Sequence, residues 1–344
     1  MSRLDRLRER LAEPLLVTNP VSVRYLTGFV SSNGTLLVEA ERVRLYTDFR
    51  YATAARAVEG VEFVETARFV LGDVAGLLDG RFGIESDHLT VSQWEVLRAG
   101  GLELVPHRGL VEGLRAVKDE AELEAMRRAS EISDRGYDAL AAEPFIGRTE
   151  KDLAWTMERL LRENGGEGLS FEVAVGSGPN AALPHVEPGD RVVQAGELVV
   201  VDAGCVVDGY CSDCTRTFAI GAIDDELRRI YAVTLDAQSR SLDAVRAGAH
   251  GAAVDRVSRD VIGAAGYGEF YGHGLGHGVG LQVHEAPVLR PESTDTLEPG
   301  NCVTVEPGIY LPGRAGVRIE DLVVVTEDGC EVLTKYPKEL VTVG

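Results

Sequence analysis

Positive charge is scarce in this sequence. Lysine and arginine number 35 against 55 aspartates and glutamates, a net charge of −20 over 344 residues. A surface that negative repels phosphate backbones and argues against nucleic acid as a partner. No apolar run approaches the roughly 18–20 residues that span a bilayer, so no membrane association is expected. Residues 1–14 lack the uninterrupted apolar core of a secretory leader, and a cytoplasmic location is expected. Cysteine is limited to Cys205, Cys211, Cys214, Cys302 and Cys330. An odd count without an export signal points to a reducing compartment. Cys211 and Cys214 form a C-x-x-C pair; zinc usually needs four ligands and a redox dithiol is the other alternative, but a stronger pattern runs through the same segment, so both are read as packing residues. With 44% hydrophobic residues the chain has enough apolar surface to offset its ordering entropy, which excludes disorder.

At about 150 residues per domain, the length suggests two domains. Residues 1–115 hold 14 Arg, no Lys and 16 acidic groups, a net of −2. The remaining 21 basic and 39 acidic groups give residues 116–344 a net of −18. The first part alternates short strands (15–18, 35–38, 43–47, 61–64, 82–85, 102–105) with helices, an α/β domain over 1–115 without a phosphate-binding glycine loop. The stretch 106–118 breaks the alternation. Helices are then expected at 119–142 and 149–163, each opened by a capping pattern: Asp119 with Glu122, Thr149 with Asp152. Strands follow at 171–175, 198–202 and 205–219. The order recurs, with helices at 224–245 and 253–264 and strands at 281–284, 302–309, 316–325 and 331–333. Two helices then strands, twice over, suggests an internal duplication. Strands joined by short turns imply an antiparallel sheet with helices on one face, so the expected fold class is α+β.

The acidic second part carries the chemistry. The run 198–202 is a buried strand ending on Asp202, and a carboxylate there is costly unless paired, hydrogen-bonded or bound to metal. Asp213 comes eleven residues later, and Asp208-Gly209 reads as the hairpin turn that brings the two together. In residues 271–280, glycines surround His273 and His277, allowing close backbone approach; His284 follows. Glu306 falls at a strand end. Glu320 falls in the middle of a strand, with Arg318 on the same face two residues earlier. Asp202, Asp213, His277, Glu306 and Glu320 together bring four negative charges and a neutral imidazole. Two divalent cations would neutralise them, with bridging carboxylates and a hydroxide. The oxygen-rich set suits Mn²⁺ first or Co²⁺, with Zn²⁺ also compatible.

Read together, these segments resemble the metal-dependent pita-bread peptidases, in their Xaa-Pro branch of prolidase and aminopeptidase P. The resemblance covers residues 119–334. Its motifs stand in family order: Asp-Ala-Gly from Asp202, Ser-Asp-x-Thr-Arg-Thr-Phe around Asp213, His-Gly-x-Gly-His from His273, Val-His-Glu-x-Pro around His284, Glu-Pro-Gly-Ile-Tyr from Glu306, and Val-Arg-Ile-Glu-Asp around Glu320. Residues 23–29 and 46–51 are similar, more loosely, to the creatinase/prolidase N-terminal domain, which implies a catalytic pita-bread domain over 116–344. The resemblance implies that Asp202 binds one ion, that Asp213 and Glu320 bridge, and that His277 and Glu306 bind the second. It implies that Glu306 doubles as acid/base and that His284 steadies the tetrahedral intermediate. It further implies that Arg318 orients Asp202, that His185 and His273 line the substrate pocket, and that Tyr310 sits near the site.

The expected activity is hydrolysis of an Xaa-Pro bond, a tertiary amide without an N–H. The expected substrates are small peptides with proline second, and a homodimer is expected. The short first domain favours a dipeptidase, whose substrate carboxylate needs a cation; Arg50 and Arg318 are the candidates. Aminopeptidase P action on longer peptides is the alternative. A methionine aminopeptidase would lack both the N-terminal domain and the Thr-Arg-Thr-Phe run. A non-enzymatic peptide-binding protein or metal-free creatinase chemistry would have lost ligands, and all five are present.

Overall fold

The computed structural model describes residues 1–344, which divide into two units, Met1–Arg115 and Ala116–Gly344. The first is built on a six-stranded mixed sheet in the order Glu62–Thr66, Val43–Asp48, Gly34–Val38, Leu15–Val17, Arg81–Glu85, Glu103–His107. The β-branched and leucine-rich central strands are buried, and Leu16, Leu37 and Tyr46 pack with Val70, Val74 and Leu97 of the flanking helices.

The second unit opens with helices Glu120–Ala141 and Glu150–Glu163, and both expected capping boxes form. Helices Asp225–Ala244 and Gly251–Ala264 make a second pair. Each pair precedes a sheet. One has the order Thr342–Val343, Cys214–Ile220, Leu198–Ala203, Ala174–Ser177; the other runs Glu285–Leu289, Gly276–Gly278, Cys302–Val305, Asp321–Val325, Cys330–Val332. All pairings are antiparallel except that of Thr342–Val343, so the fold is α+β with α/β character in the first unit. Along Leu198–Ala203, Val199, Val201 and Ala203 face Ile132, Leu153 and Met157 of the first helix pair. The alternation of a strand sends Asp202 to the opposite face.

Several expected strands come out differently: 171–175 is displaced to Ala174–Ser177, and 205–219 breaks into Cys205–Val207, Tyr210–Cys211 and Cys214–Ile220. The stretch 302–309 is two strands, Cys302–Val305 and Gly308–Leu311, because Pro307 has no N–H for the ladder. The stretch 316–325 is also two, Ala315–Arg318 and Asp321–Val325, so Glu320 lies in a break and not in mid-strand. Residues 281–284 form a bend, and the pairing strand is the glycine-rich Gly276–Gly278. Glycine is required there: a Cβ on Gly276 would stand 2.0 Å from the Thr304 carbonyl oxygen.

Candidate active site

Asp213, Glu306 and Glu320 sit in breaks between strands, so their backbones leave the ladder and their side chains turn inward, while Asp202 stays in the ladder next to the end of its strand, opposite Thr215. Asp202, Asp213, His277, Glu306 and Glu320 all line one cleft of about 890 Å³. Ligand atoms of Asp213, His277 and Glu320 lie within 4.8 Å of one another. His277 Nε2 is 3.6 Å from Asp213 Oδ2 and 3.3 Å from Glu306 Oε1. His277 Nδ1 lies 3.1 Å from the Gly278 carbonyl oxygen. A carbonyl only accepts, so Nδ1 carries the proton and Nε2 keeps its lone pair for the cluster.

Arg318 braces the wall. Its Nη2 donates to Asp202 Oδ2 at 2.7 Å and its Nε to Thr215 Oγ1 at 2.9 Å. Thr215 in turn donates to Glu320 Oε2 at 2.6 Å. Thr304, on the same face as Glu306, donates to Glu306 Oε1 at 3.0 Å. These two threonines were not singled out from the sequence. Their signal is alternation: Thr215 lies two residues after Asp213 and Thr304 two before Glu306.

The electrostatics are those of a cluster short of positive charge. Burial, and then the charges of Glu320, Asp202 and Glu306, push the Asp213 carboxyl well up. Burial, and then Glu306 and Asp202, do the same to Glu320. Burial also raises Asp202 against the opposing pull of Arg318. Burial opposes charge on Glu306 as well, but when His277 is protonated its bond and charge outweigh that and hold this carboxyl at about 2. Burial works against a charged His277, yet Glu306 raises it. Asp202 Oδ1 is buried with no hydrogen-bond partner. An orphaned carboxylate oxygen, crowded carboxylates and an imidazole with a free lone pair fit divalent cations held by oxygen and one nitrogen.

Around this core, His185, His273 and His284 line the cleft. The His277 and His284 rings meet edge to face, with centroids 4.3 Å apart. Tyr310 is buried behind the wall and not on it. Its hydroxyl accepts from Arg318 Nη1 at 3.1 Å and donates to His273 Nε2 at 2.9 Å. His273 Nδ1 donates to the Gly274 carbonyl at 2.7 Å. Glu285, beside His284, lies 3.7 Å from the buried ammonium of Lys118, which ties the His284 bend to the start of the unit. Arg50 belongs to the N-terminal unit, where its Nε and Nη2 grip the two Asp48 oxygens at 2.8 Å each. Cys211 and Cys214 are buried. The Cys214 thiol lies 3.8 Å from the Glu320 carbonyl oxygen.

Residues 124–327 match the model of metallopeptidase family M24, and residues 3–117 match the creatinase/prolidase N-terminal domain. The chain therefore belongs to metallopeptidase family M24 and is a metal-dependent peptidase with a creatinase/prolidase-type N-terminal domain. It is similar to an Xaa-Pro dipeptidase from Bacillus anthracis, with 39% identity, a TM-score of 0.96 and 99% of each chain covered. It is also similar to an X-Pro aminopeptidase from Thermotoga maritima MSB8, with 34% identity, a TM-score of 0.89, and 98% of this chain and 99% of the other covered. The uncharacterized peptidase YqhT of Bacillus subtilis (strain 168) is 37% identical, over 98% of this chain and 99% of its own length.

Proposed function

We propose that this chain hydrolyses the bond between a first residue and a following proline, with dipeptides as the preferred substrates. We further propose that two divalent cations, Mn²⁺ first among them, are held by Asp202, Asp213, His277, Glu306 and Glu320. The observation that carries this is the buried cluster in which Asp213, His277 and Glu320 offer ligand atoms within 4.8 Å while Asp202 Oδ1 lacks a partner. When bound, such a pair of ions supplies a nucleophile from water near neutral pH and polarises the scissile carbonyl.

The chain's own groups do the rest. Arg318 fixes Asp202 through Oδ2 and leaves Oδ1 for the cluster. Thr304 occupies Glu306 Oε1, so Oε2 takes the proton from the attacking water and returns it to the departing proline nitrogen. That return matters because a tertiary amide nitrogen is a poor leaving group until protonated. Burial, and then His277, lower the pKa of His284, leaving a neutral imidazole whose N–H steadies the developing oxyanion.

A second assignment, removal of the first residue from longer Xaa-Pro peptides, draws support from the Thermotoga maritima aminopeptidase. The cleft volume of about 890 Å³ also lies high in the usual ligand-site range of ~300–1,000 Å³. Hydrolysis of Gly-Pro, Met-Pro and an Xaa-Pro-Xaa tripeptide, side by side with added Mn²⁺, tests both. Faster dipeptide turnover is expected. A tripeptide preference selects the aminopeptidase, and turnover of none overturns both.

A further inference from the structure

Two imidazoles of the cleft are aimed by hydrogen bonds of their own. His273 bonds to the Gly274 carbonyl and to Tyr310, and His277 to the Gly278 carbonyl. His284 makes no such bond: it is exposed on the cleft wall, and its ring meets that of His277 edge to face. Its aim is therefore set by its backbone. Yet residues 281–284 are a bend outside the sheet ladder, so something beyond the ladder holds them.

That hold is built on Glu285, the residue after His284, whose side chain is 5% exposed. Its Oε1 accepts from the Gln282 amide at 2.8 Å and closes the bend. Gly280 leaves room for the carboxylate: a Cβ there would come 2.8 Å from Oε2 and 2.9 Å from Oε1. Oε2 lies 3.7 Å from the ammonium of Lys118, whose side chain is 1% exposed. Lys118 is itself a fixed post. Its amide donates to the Gly300 carbonyl at 2.9 Å, and Val117 pairs with Asn301 beside the strand Cys302–Val305. A buried ion pair is often no better for stability than apolar residues of the same volume, because desolvation offsets the attraction. What this pair supplies is geometry: the post fixes the Glu285 carboxylate, and the carboxylate fixes the bend.

We propose that Lys118 is a positioning residue for the reaction, setting through Glu285 the place from which His284 meets the developing oxyanion. This rests on the oxyanion role given to His284 above. Lys118 does not line the cleft, so it acts only through the bend. The oxyanion exists only in the transition state, so a displaced His284 lowers kcat and leaves KM nearly unchanged.

The test is a double-mutant cycle on the Mn²⁺-loaded full-length enzyme with Gly-Pro: wild type, Lys118→Met, His284→Ala and the two combined. Lys118→Met is expected to lower kcat by about tenfold to a hundredfold, the scale of a misplacement of about 1 Å, with KM and bound Mn²⁺ as in the wild type. In the His284→Ala background the same substitution should change kcat little. Lys118→Arg, which keeps the charge, should recover most of the rate. If Lys118→Met does not fold, Lys118→Met combined with Glu285→Gln takes its place with the same expectations, since it strands no charge and keeps the acceptor for Gln282. A kcat unchanged by the substitution, an equal fall with and without His284, or a loss of bound Mn²⁺ overturns the role of Lys118. A His284→Ala variant as fast as the wild type overturns the oxyanion role of His284 and the positioning role with it. No wild-type turnover of Gly-Pro overturns the Xaa-Pro assignment and both roles.

Discussion

Two sets of buried carboxylates in the catalytic unit meet the cost of burial in opposite ways. Glu150 is 0% exposed. It accepts from the Ser177 amide at 2.8 Å, the Ser177 hydroxyl at 2.7 Å, Asn180 Nδ2 at 3.0 Å and the Gly189 amide at 3.0 Å. Those donors bracket the segment that carries His185, so Glu150 is a complete structural anchor. Asp213 and Glu320 are as deeply buried, but they face one another and Glu306, and Asp202 keeps an oxygen with no partner. Burial alone does not mark a site. Burial with crowded like charge and an unsatisfied acceptor marks one that a cation completes.

The sharpest way to break this comparison is to neutralise one carboxylate from each set. Asp213→Asn and Glu320→Gln are each expected to lower kcat by several orders of magnitude and to abolish the rise in Tm on adding Mn²⁺. The metal-free Tm should hold or rise, because like-charge repulsion is relieved; a thermal melt with and without Mn²⁺ reads both effects. Glu306→Gln should cost about 10²–10⁴ in kcat as a proton carrier, and His284→Ala about 10²–10³ as one oxyanion donor, measured on Gly-Pro. Glu150→Ala should show the opposite profile. It strands the two buried donors of Ser177 and the half-buried ones of Asn180 and Gly189, and should lower unfolding stability by about 3 kcal/mol in denaturant titration, while the number of Mn²⁺ ions bound stays the same. The smallest effect is expected from the double substitution of Cys211 and Cys214 by Ser, which should keep both activity and metal content. Loss of one metal equivalent there would make the C-x-x-C pair a ligand.

The fold class and the gathering of candidate residues were legible because each candidate adjoins a strong local signal. Asp202 closes a β-branched run, and Glu306 precedes a proline. Asp213 follows an Asp-Gly turn whose Asp208 adopts a positive φ of 50°. The breaks at Glu306 and Glu320 were less visible, since the apolar residues on both sides read as one continuous strand. The pairing strand Gly276–Gly278 was hidden for a different reason: glycine is depleted in strands, and only close packing against Thr304 selects it here. Glu150 was illegible. In the sequence it is an ordinary acid in a helix first turn, and its burial comes from a segment 27 to 39 residues away.

The central claim is that this cluster is a two-cation centre without which the peptidase does not work. The most direct measurement is Gly-Pro hydrolysis by verified metal-free protein as Mn²⁺ is added in fractions of an equivalent, with bound metal counted in the same samples. No turnover at zero metal and a rise that levels at two equivalents per chain is the expected result. Full turnover in the metal-free sample, or saturation at a single equivalent, would contradict it.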